Sequence, residues 1–163
     1  MTKIKNEIIL GLGSNIGDSI STFKKCCELI QETIGDIVSK SSIYQSEPVE
    51  FLDQPRFYNM VIYVRTFTLM TACEILHSTQ KIENLIGRIK LIPKGPRIID
   101  IDLLFVDNLV ISSPELTIPH PEIYNRDFVY LPLNEISKNV KNIILPQIAS
   151  QKLDTTHKTE FSI

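Results

Sequence analysis

Asp100 and Asp102 stand two residues apart in a stretch, Ile98 to Val106, that is otherwise apolar. Strand side chains alternate between faces, so residues i and i+2 share a face about 7 Å apart along the backbone. Ile99, Ile101, Leu103 and Phe105 then face the other way. Two carboxylates crowded onto one face of an apolar strand lose solvation unless positive charge stands near them. A hard divalent ion meets that need, since Mg²⁺ takes one or two carboxylates and completes its shell with water and phosphate oxygens. Exposure near a strand end, or salt bridges to nearby Lys and Arg, would account for the pair equally well.

Just upstream, Arg88, Lys90, Lys94 and Arg97 place four positive charges in ten residues with no acid among them, on a loop broken by Pro93, Gly95 and Pro96. Alone, such a run reads as a solvated loop. Beside the aspartates it reads differently. A nucleoside triphosphate carrying Mg²⁺ engages both sets at once, Arg and Lys on phosphate oxygens and Asp on the metal.

Other signals are weaker. Gly11-Leu-Gly13-Ser-Asn-Ile-Gly17 has the spacing G-x-G-x-x-x-G, one residue longer than the dinucleotide fingerprint, and no G-x-x-x-x-G-K-[ST] loop occurs. A dinucleotide oxidoreductase is therefore disfavoured, and Gly13 to Gly17 reads as a tight turn capping the first helix. Gln80 and Glu83 continue the line of Leu76 along a helix and either hold a base or ribose or form the polar rim of the core, with Glu83 also in reach of Arg88 or Lys90. His120 lies between Pro119 and Pro121, which fix the backbone that carries its imidazole. Phe57 and Phe128 are core residues by default; with Asn59 they could instead sandwich a flat heterocycle and read its edge.

These residues hang on a regular frame. Ile8 to Leu12 is a buried strand; Ile16, Ile20, Phe23, Cys27 and Ile30 recur at helical spacing, with Gly35 expected as the C-terminal cap. Ile37 to Tyr44 and Phe57 to Phe67 read as strands around a loop holding Pro48 and Pro55. A second helix starts near Leu69, capped by Thr68 or Thr71, and stops at Gly87. Ile98 to Val106 is the fourth strand, Leu109 to Ile111 a short return, and Phe128 to Ile136 a short helix before a polar tail at about 149–163. The order β-α-β-β-α-β predicts an α/β (α+β) fold, a ferredoxin-like sandwich with an antiparallel sheet and helices on one face. That fold hosts many activities, including non-catalytic nucleotide-binding modules.

Composition bounds the rest. With 163 residues, 43% hydrophobic and 22% charged, the chain reads as one domain with its core at about 4–137. A net charge of −2 supplies no general field for nucleic acid or anionic membrane, and no apolar run approaches a bilayer span. No aromatic RNA-binding strand motif is present. Lys3, Lys5 and Glu7 precede only a short apolar run, unlike a secretion signal, and Cys26, Cys27 and Cys73 form no C-x-x-C, so a cytoplasmic location and core or surface thiols are expected.

Gly95-Pro96-Arg97-Ile-Ile-Asp100-Ile-Asp102-Leu103-Leu104 closely resembles the signature of the 6-hydroxymethyl-7,8-dihydropterin pyrophosphokinase family of folate biosynthesis. Gly13-Ser14-Asn15, Asp53-Gln54-Pro55, Asn59, Gln80-x-x-Glu83, Gly87-Arg88, Pro119-His120 and Asn125-Arg126-x-Phe128 join it in order, from about residue 8 to 137. The resemblance implies pyrophosphate transfer from ATP to the hydroxymethyl oxygen of the pterin, releasing AMP, on a ferredoxin-like fold with two Mg²⁺ ions. Asp100 and Asp102 would be the metal ligands. Arg88, Lys90 and Arg97 would be catalytic, Arg88 and Arg97 also holding ATP together with Gln80, Glu83, His120 and Arg126. Phe57 and Phe128 would stack the pterin, Asn59 would read its edge, and the backbone about Ser46 and Val49 would add hydrogen bonds. The implied partners are these small molecules, and fusion or association with other folate-pathway enzymes, aldolase or dihydropteroate synthase, occurs among relatives. Pro93-Lys94 stand where the family often has Arg-Trp, Lys90 where it often has a second Arg, Phe57 where Tyr is frequent, and Pro121 where Tyr is common.

Overall fold

Alternation organises the first strand, β1 (Glu7–Ser14), which turns Ile8, Leu10 and Leu12 to one side and Ile9, Gly11 and Gly13 to the other. Gly17, at φ 70°, turns the chain into α1 (Ser19–Thr33), where the Asp18 side chain caps the helix by accepting from the Ser21 N–H. Phe23, Cys26, Cys27 and Ile30 form its buried stripe, and burial pushes the Cys27 thiol up to about 11, the state of a packed, unreactive cysteine. The chain continues through β2 (Gly35–Lys40), β3 (Tyr44–Ser46), β4 (Phe57–Thr66), α2 (Ala72–Ile86), β5 (Asp100–Val106), a small hairpin of β6 (Ile111–Ser112) and β7 (Thr117–Ile118), a 3-10 turn at Pro121–Tyr124, α3 (Asp127–Ile136) and β8 (His157–Lys158). The computed structural model describes residues 3–89, 92–146 and 156–163.

Gly35 differs from expectation. Ile34 ends α1 in right-handed conformation, and Gly35 opens β2 beside β4, where a Cβ would lie 2.1 Å from the Arg65 carbonyl oxygen. Close backbone approach explains the glycine, not a left-handed cap. Gly87 does cap α2, at φ 105°, and Thr71 with Glu74 closes a capping box at its start.

The main sheet runs β5-β1-β4-β3-β8, antiparallel throughout, with β2 and β3 sharing one edge of β4. This is the ferredoxin-like order, with β2 and β3 as one interrupted strand. Helices α1 and α2 cover one face over a core that includes Ile8, Leu10, Phe23, Ile30, Ile62, Ile75 and Ile101. Contrary to the one-faced packing expected, α3 covers half of the other face, setting Val129, Leu133 and Ile136 against Ile9, Val61, Tyr63 and Leu104. A bulge in the β1–β5 register turns both Leu104 and Phe105 toward α3, so Phe105 leaves the face shared by Ile101 and Leu103. Of the expected polar tail at about 149–163, residues 149–155 lie outside the described part; His157 and Lys158 pair with Gln45 and Tyr44, and Phe161 meets the Tyr58 ring edge-on at 6.1 Å. No helix among the described residues is long and apolar enough to cross a membrane.

Candidate active site

The half of the sheet that α3 leaves bare forms the floor of an open cleft of about 680 Å³. Gly11 and Gly13 of β1, Phe57 and Asn59 of β4, and Asp100 and Asp102 of β5 line it from below. Around the rim stand Ser46, Val49, Glu50 and Gln54 from the segment between β3 and β4, Lys94 and Arg97 ahead of β5, and Arg126 and Phe128 at the start of α3.

The two aspartates share the floor but not their surroundings. Asp100 receives Arg88 Nη1 at 2.7 Å on one oxygen and Arg97 Nη1 at 3.1 Å on the other. Arg88, only 12% exposed, also reaches Glu83 at 2.5 Å, while Glu83 accepts the Ile101 N–H at 2.7 Å. The salt-bridge account of the sequence is thus realised for Asp100. Asp102 has no Lys or Arg partner among the described residues; His120 Nε2 lies 4.0 Å from it. Crowding on the cleft floor, then repulsion from Asp100, pushes its carboxyl up to about 7, although cleft water screens a side chain that is 44% exposed. Burial, with Asp100's charge, also raises Glu83.

His120 is an acceptor at Nδ1, taking the Glu122 N–H at 3.2 Å, and burial lowers its pKa. The imidazole is then neutral at pH 7 with its proton on Nε2, 4.0 Å from Asp102 and so neither ion-paired nor hydrogen-bonded to it.

The cleft is also partly apolar, with Phe57, Phe128 and Val129 in its lining. Asn59 donates to Ser46 Oγ at 3.0 Å, and a Cβ at Gly13 would sit 3.3 Å from Asn59 Oδ1, so glycine leaves that amide room. The Arg97 guanidinium lies 5.1 Å from the centre of the Phe57 ring, and that of Arg126 5.5 Å from Phe128. The Nε donors of Arg88 and Arg97 are buried with no acceptor among the described residues.

Ser46, Val49, Phe57, Asn59, Arg97, Asp100, Asp102, Arg126 and Phe128 are therefore brought together. Arg88 approaches from behind Asp100, lining an adjoining hollow with Ile92 and Arg97. His120 lines a third hollow with Leu76, Ile101, Asp102, Ser113 and Leu116, and exposed Gln80 stands one helical turn beyond Leu76. Glu83 faces Arg88 and β5 and does not line the cleft. Lys90 lies outside the described residues.

Sequence reasoning assigned no role to Asn15, Gln54 or Glu50. Asn15 exchanges backbone and side-chain hydrogen bonds with Arg97, its N–H donating to Arg97 O at 3.1 Å and its Oδ1 accepting the Arg97 N–H at 2.9 Å. Its Nδ2 donates to Gln54 Oε1 at 3.0 Å, and Gln54 Nε2 donates on to Phe51 O and Lys94 O. Three segments are tied together this way. The only signal was the presence of Gly13-Ser14-Asn15 and Asp53-Gln54-Pro55 among the quoted motifs; Glu50 left none.

Fold and cleft together define a ferredoxin-like sandwich in which carboxylates, guanidinium groups and the rings of Phe57 and Phe128 surround one small-molecule space. The family model described as 7,8-dihydro-6-hydroxymethylpterin-pyrophosphokinase matches residues 9–138, and the chain belongs to that family. It is 37% identical over 139 residues to the 2-amino-4-hydroxy-6-hydroxymethyldihydropteridine pyrophosphokinase of Bacillus subtilis, covering 85% of this chain and 82% of that protein. To the same-named protein of Aquifex aeolicus it is 40% identical over 133 residues, covering 82% and 81%. It is also 40% identical over 135 residues to the folic acid synthesis protein fol1 of Pneumocystis carinii; this covers 82% of this chain but only 18% of that longer protein. The crystal structure of Plasmodium falciparum HPPK-DHPS superposes with a TM-score of 0.66 at 18% identity, covering 88% of this chain and 42% of that one, which bears on the fold alone.

Proposed function

We propose that this cleft transfers the terminal pyrophosphoryl group of ATP to the hydroxymethyl oxygen of 6-hydroxymethyl-7,8-dihydropterin, in folate synthesis. That is the family's reaction, an ATP-dependent diphosphokinase step. In it the alcohol oxygen bonds to the β-phosphorus, the bond from that phosphorus to the α–β bridging oxygen breaks, AMP leaves, and the hydroxyl proton passes to solvent. One observation carries the assignment of roles: Asp100 and Asp102 line the same cleft as the cations Lys94, Arg97 and Arg126 and as the aromatic and amide groups Phe57, Asn59 and Phe128.

Arg97 and Arg126 line the cleft over the Phe57 and Phe128 rings, and Arg88 is held on Asp100 beside it. They would hold the phosphates and spread the charge that develops on the transferred group. Lys90, by its place in the chain, would join them. The hollow bearing His120, with Leu76 on one wall and Gln80 a turn further on, suits a base and ribose. Phe57 and Phe128 would stack the pterin and Asn59 would read its edge, with the backbone at Ser46 and Val49 adding hydrogen bonds. Glu83 would contribute by fixing Arg88 and the start of β5.

The donor set fits Mg²⁺. Two carboxylates share one face, Asp102 is destabilised by its like-charged neighbour, and no third His, Cys, Asp or Glu among the described residues completes a protein cage, which leaves coordination positions for phosphate and water. Bound there, the ions would neutralise phosphate charge and bring the triphosphate in line with the alcohol. No general base is assigned, because a loose transition state asks little proton removal of the alcohol. Incubation with ATP, Mg²⁺ and hydroxymethyldihydropterin should yield AMP and the pterin diphosphate in equal amounts by chromatography. ADP as the nucleotide product would overturn the assignment.

A further inference from the structure

Glu50 puts a negative charge against two of the cations that line the cleft, Lys94 and Arg126. Its Oε1 accepts from Lys94 Nζ at 2.8 Å and lies 3.6 Å from Arg126 Nη2. The three residues come from separate segments, the one between β3 and β4, the turn ahead of β5, and the approach to α3, and all three line the cleft. Lys94 holds the Glu50 carboxyl below the usual range, so the group is charged at neutral pH. At 39% exposure for Glu50 and 64% for Lys94, the pair is open to a competing solute.

Lys94 is also held in place through its backbone. Its φ of 58° is left-handed, at the third position of a turn that Gly95 N–H closes on Ile92 O at 3.1 Å after Pro93. A side chain at that φ is strained. The segment that carries Glu50 grips the same turn a second time, through Gln54 Nε2 to Lys94 O at 3.1 Å. Arg126 is divided likewise, since its Nε donates to Glu122 at 2.7 Å while Nη2 faces Glu50. An arriving polyphosphate would compete with Glu50 for both cations, because one ammonium cannot satisfy two anions at full strength.

We propose that Glu50 is an affinity-limiting residue for the nucleotide, its carboxylate occupying the place at Lys94 and Arg126 that phosphate oxygens would take, so that polyphosphate binding exchanges one anion for another. This rests on the nucleotide reading of the cleft given above. Removing the charge by Glu50→Gln should leave the fold intact, since the residue sits on an exposed rim, and should tighten polyphosphate binding while leaving an uncharged nucleoside unaffected.

Titration calorimetry of the wild-type chain and Glu50→Gln with ATP and Mg²⁺, and separately with adenosine, tests it. The expected result is about fivefold tighter ATP binding in the variant and no change for adenosine. In a Lys94→Ala background, Glu50→Gln should gain only about twofold, because the nearer of the two contested cations is gone and Arg126 alone remains. ATP binding that is equal or weaker in Glu50→Gln, or a full gain that persists without Lys94, overturns the proposal. If the wild-type chain and the variant both fail to bind ATP, the nucleotide reading itself has failed, an outcome distinct from the first.

Discussion

Two polar networks lie at opposite ends of β1, and they are built to opposite rules. At the strand's beginning, burial by itself would raise Glu7, but hydrogen bonds from Tyr63 and Asn142 and the charge of Arg65 outweigh it and hold the carboxyl below the usual range. Asp107 is held low in the same way, with the Glu7 N–H, Lys3 and Asn6 outweighing burial. At the strand's far end, beside Gly11 and Gly13, Asp102 is pushed up to about 7 and Glu83 is also raised. A network that serves stability satisfies its own acids. The cleft leaves some of its acids unsatisfied, and perturbed groups gathered in a cleft are the pattern of a binding or catalytic place.

The comparison breaks most visibly in activity. Asp100→Ala or Asp102→Ala is expected to lower turnover by about 10³-fold or more while circular dichroism shows the fold retained; ordinary turnover in either variant would remove the metal role. Glu7→Gln should do the reverse, lowering unfolding free energy by about 1–3 kcal/mol in urea melts, because buried partners lose a charged acceptor, while turnover per folded molecule stays within about twofold.

Acid should separate the two ends by sign. Glu7 has a folded pKa below its ordinary 4.5, so its contribution is present above that value and is lost as pH falls through the folded value. Asp102 has a folded pKa raised from 3.8 to about 7, so the folded state holds the proton through that window and stability declines as pH rises across it. Asp102→Asn should therefore stabilise the metal-free protein at pH 8, by on the order of 1 kcal/mol once water screening of an exposed carboxylate is allowed for, and should change nothing below about pH 4. Thermal melts at the two pH values check it; destabilisation at pH 8 would show that Asp102 is satisfied in the fold. The smallest effect belongs to the aromatic residues of the cleft. Phe57→Tyr keeps the stacking surface under Arg97 and should alter the KM for the pterin by no more than about twofold, whereas Phe57→Ala should raise it about tenfold.

Much of the fold was legible along the chain because its signals are local. The Thr71 cap, the Gly87 stop, the alternation in β1 and the face shared by Asp100 and Asp102 each depend on neighbours a few residues away. Failures occurred where a contact distant in sequence took over. Gly35 looked like a cap because it follows a helix, but its reason is the Arg65 backbone on β4. Phe105 looked like a partner of Leu103 until the bulge against Ile9 and Leu10 turned it over. Helix α3 was visible as an element, yet nothing within it said which sheet face it would cover.

The same division holds for the site. Residue types and spacing alone determined the acid pair, the basic loop before it and the family they resemble, since carboxylates two apart on a strand must share a face in any fold. Only tertiary structure decided which charges meet. Arg88 settles on Glu83 and Asp100, Asn15 and Gln54 join three segments, and Glu50 reaches Lys94 and Arg126. Electrostatic pairing depends on distance in space, and a one-dimensional order of residues does not contain that distance until the sheet has brought its strands together.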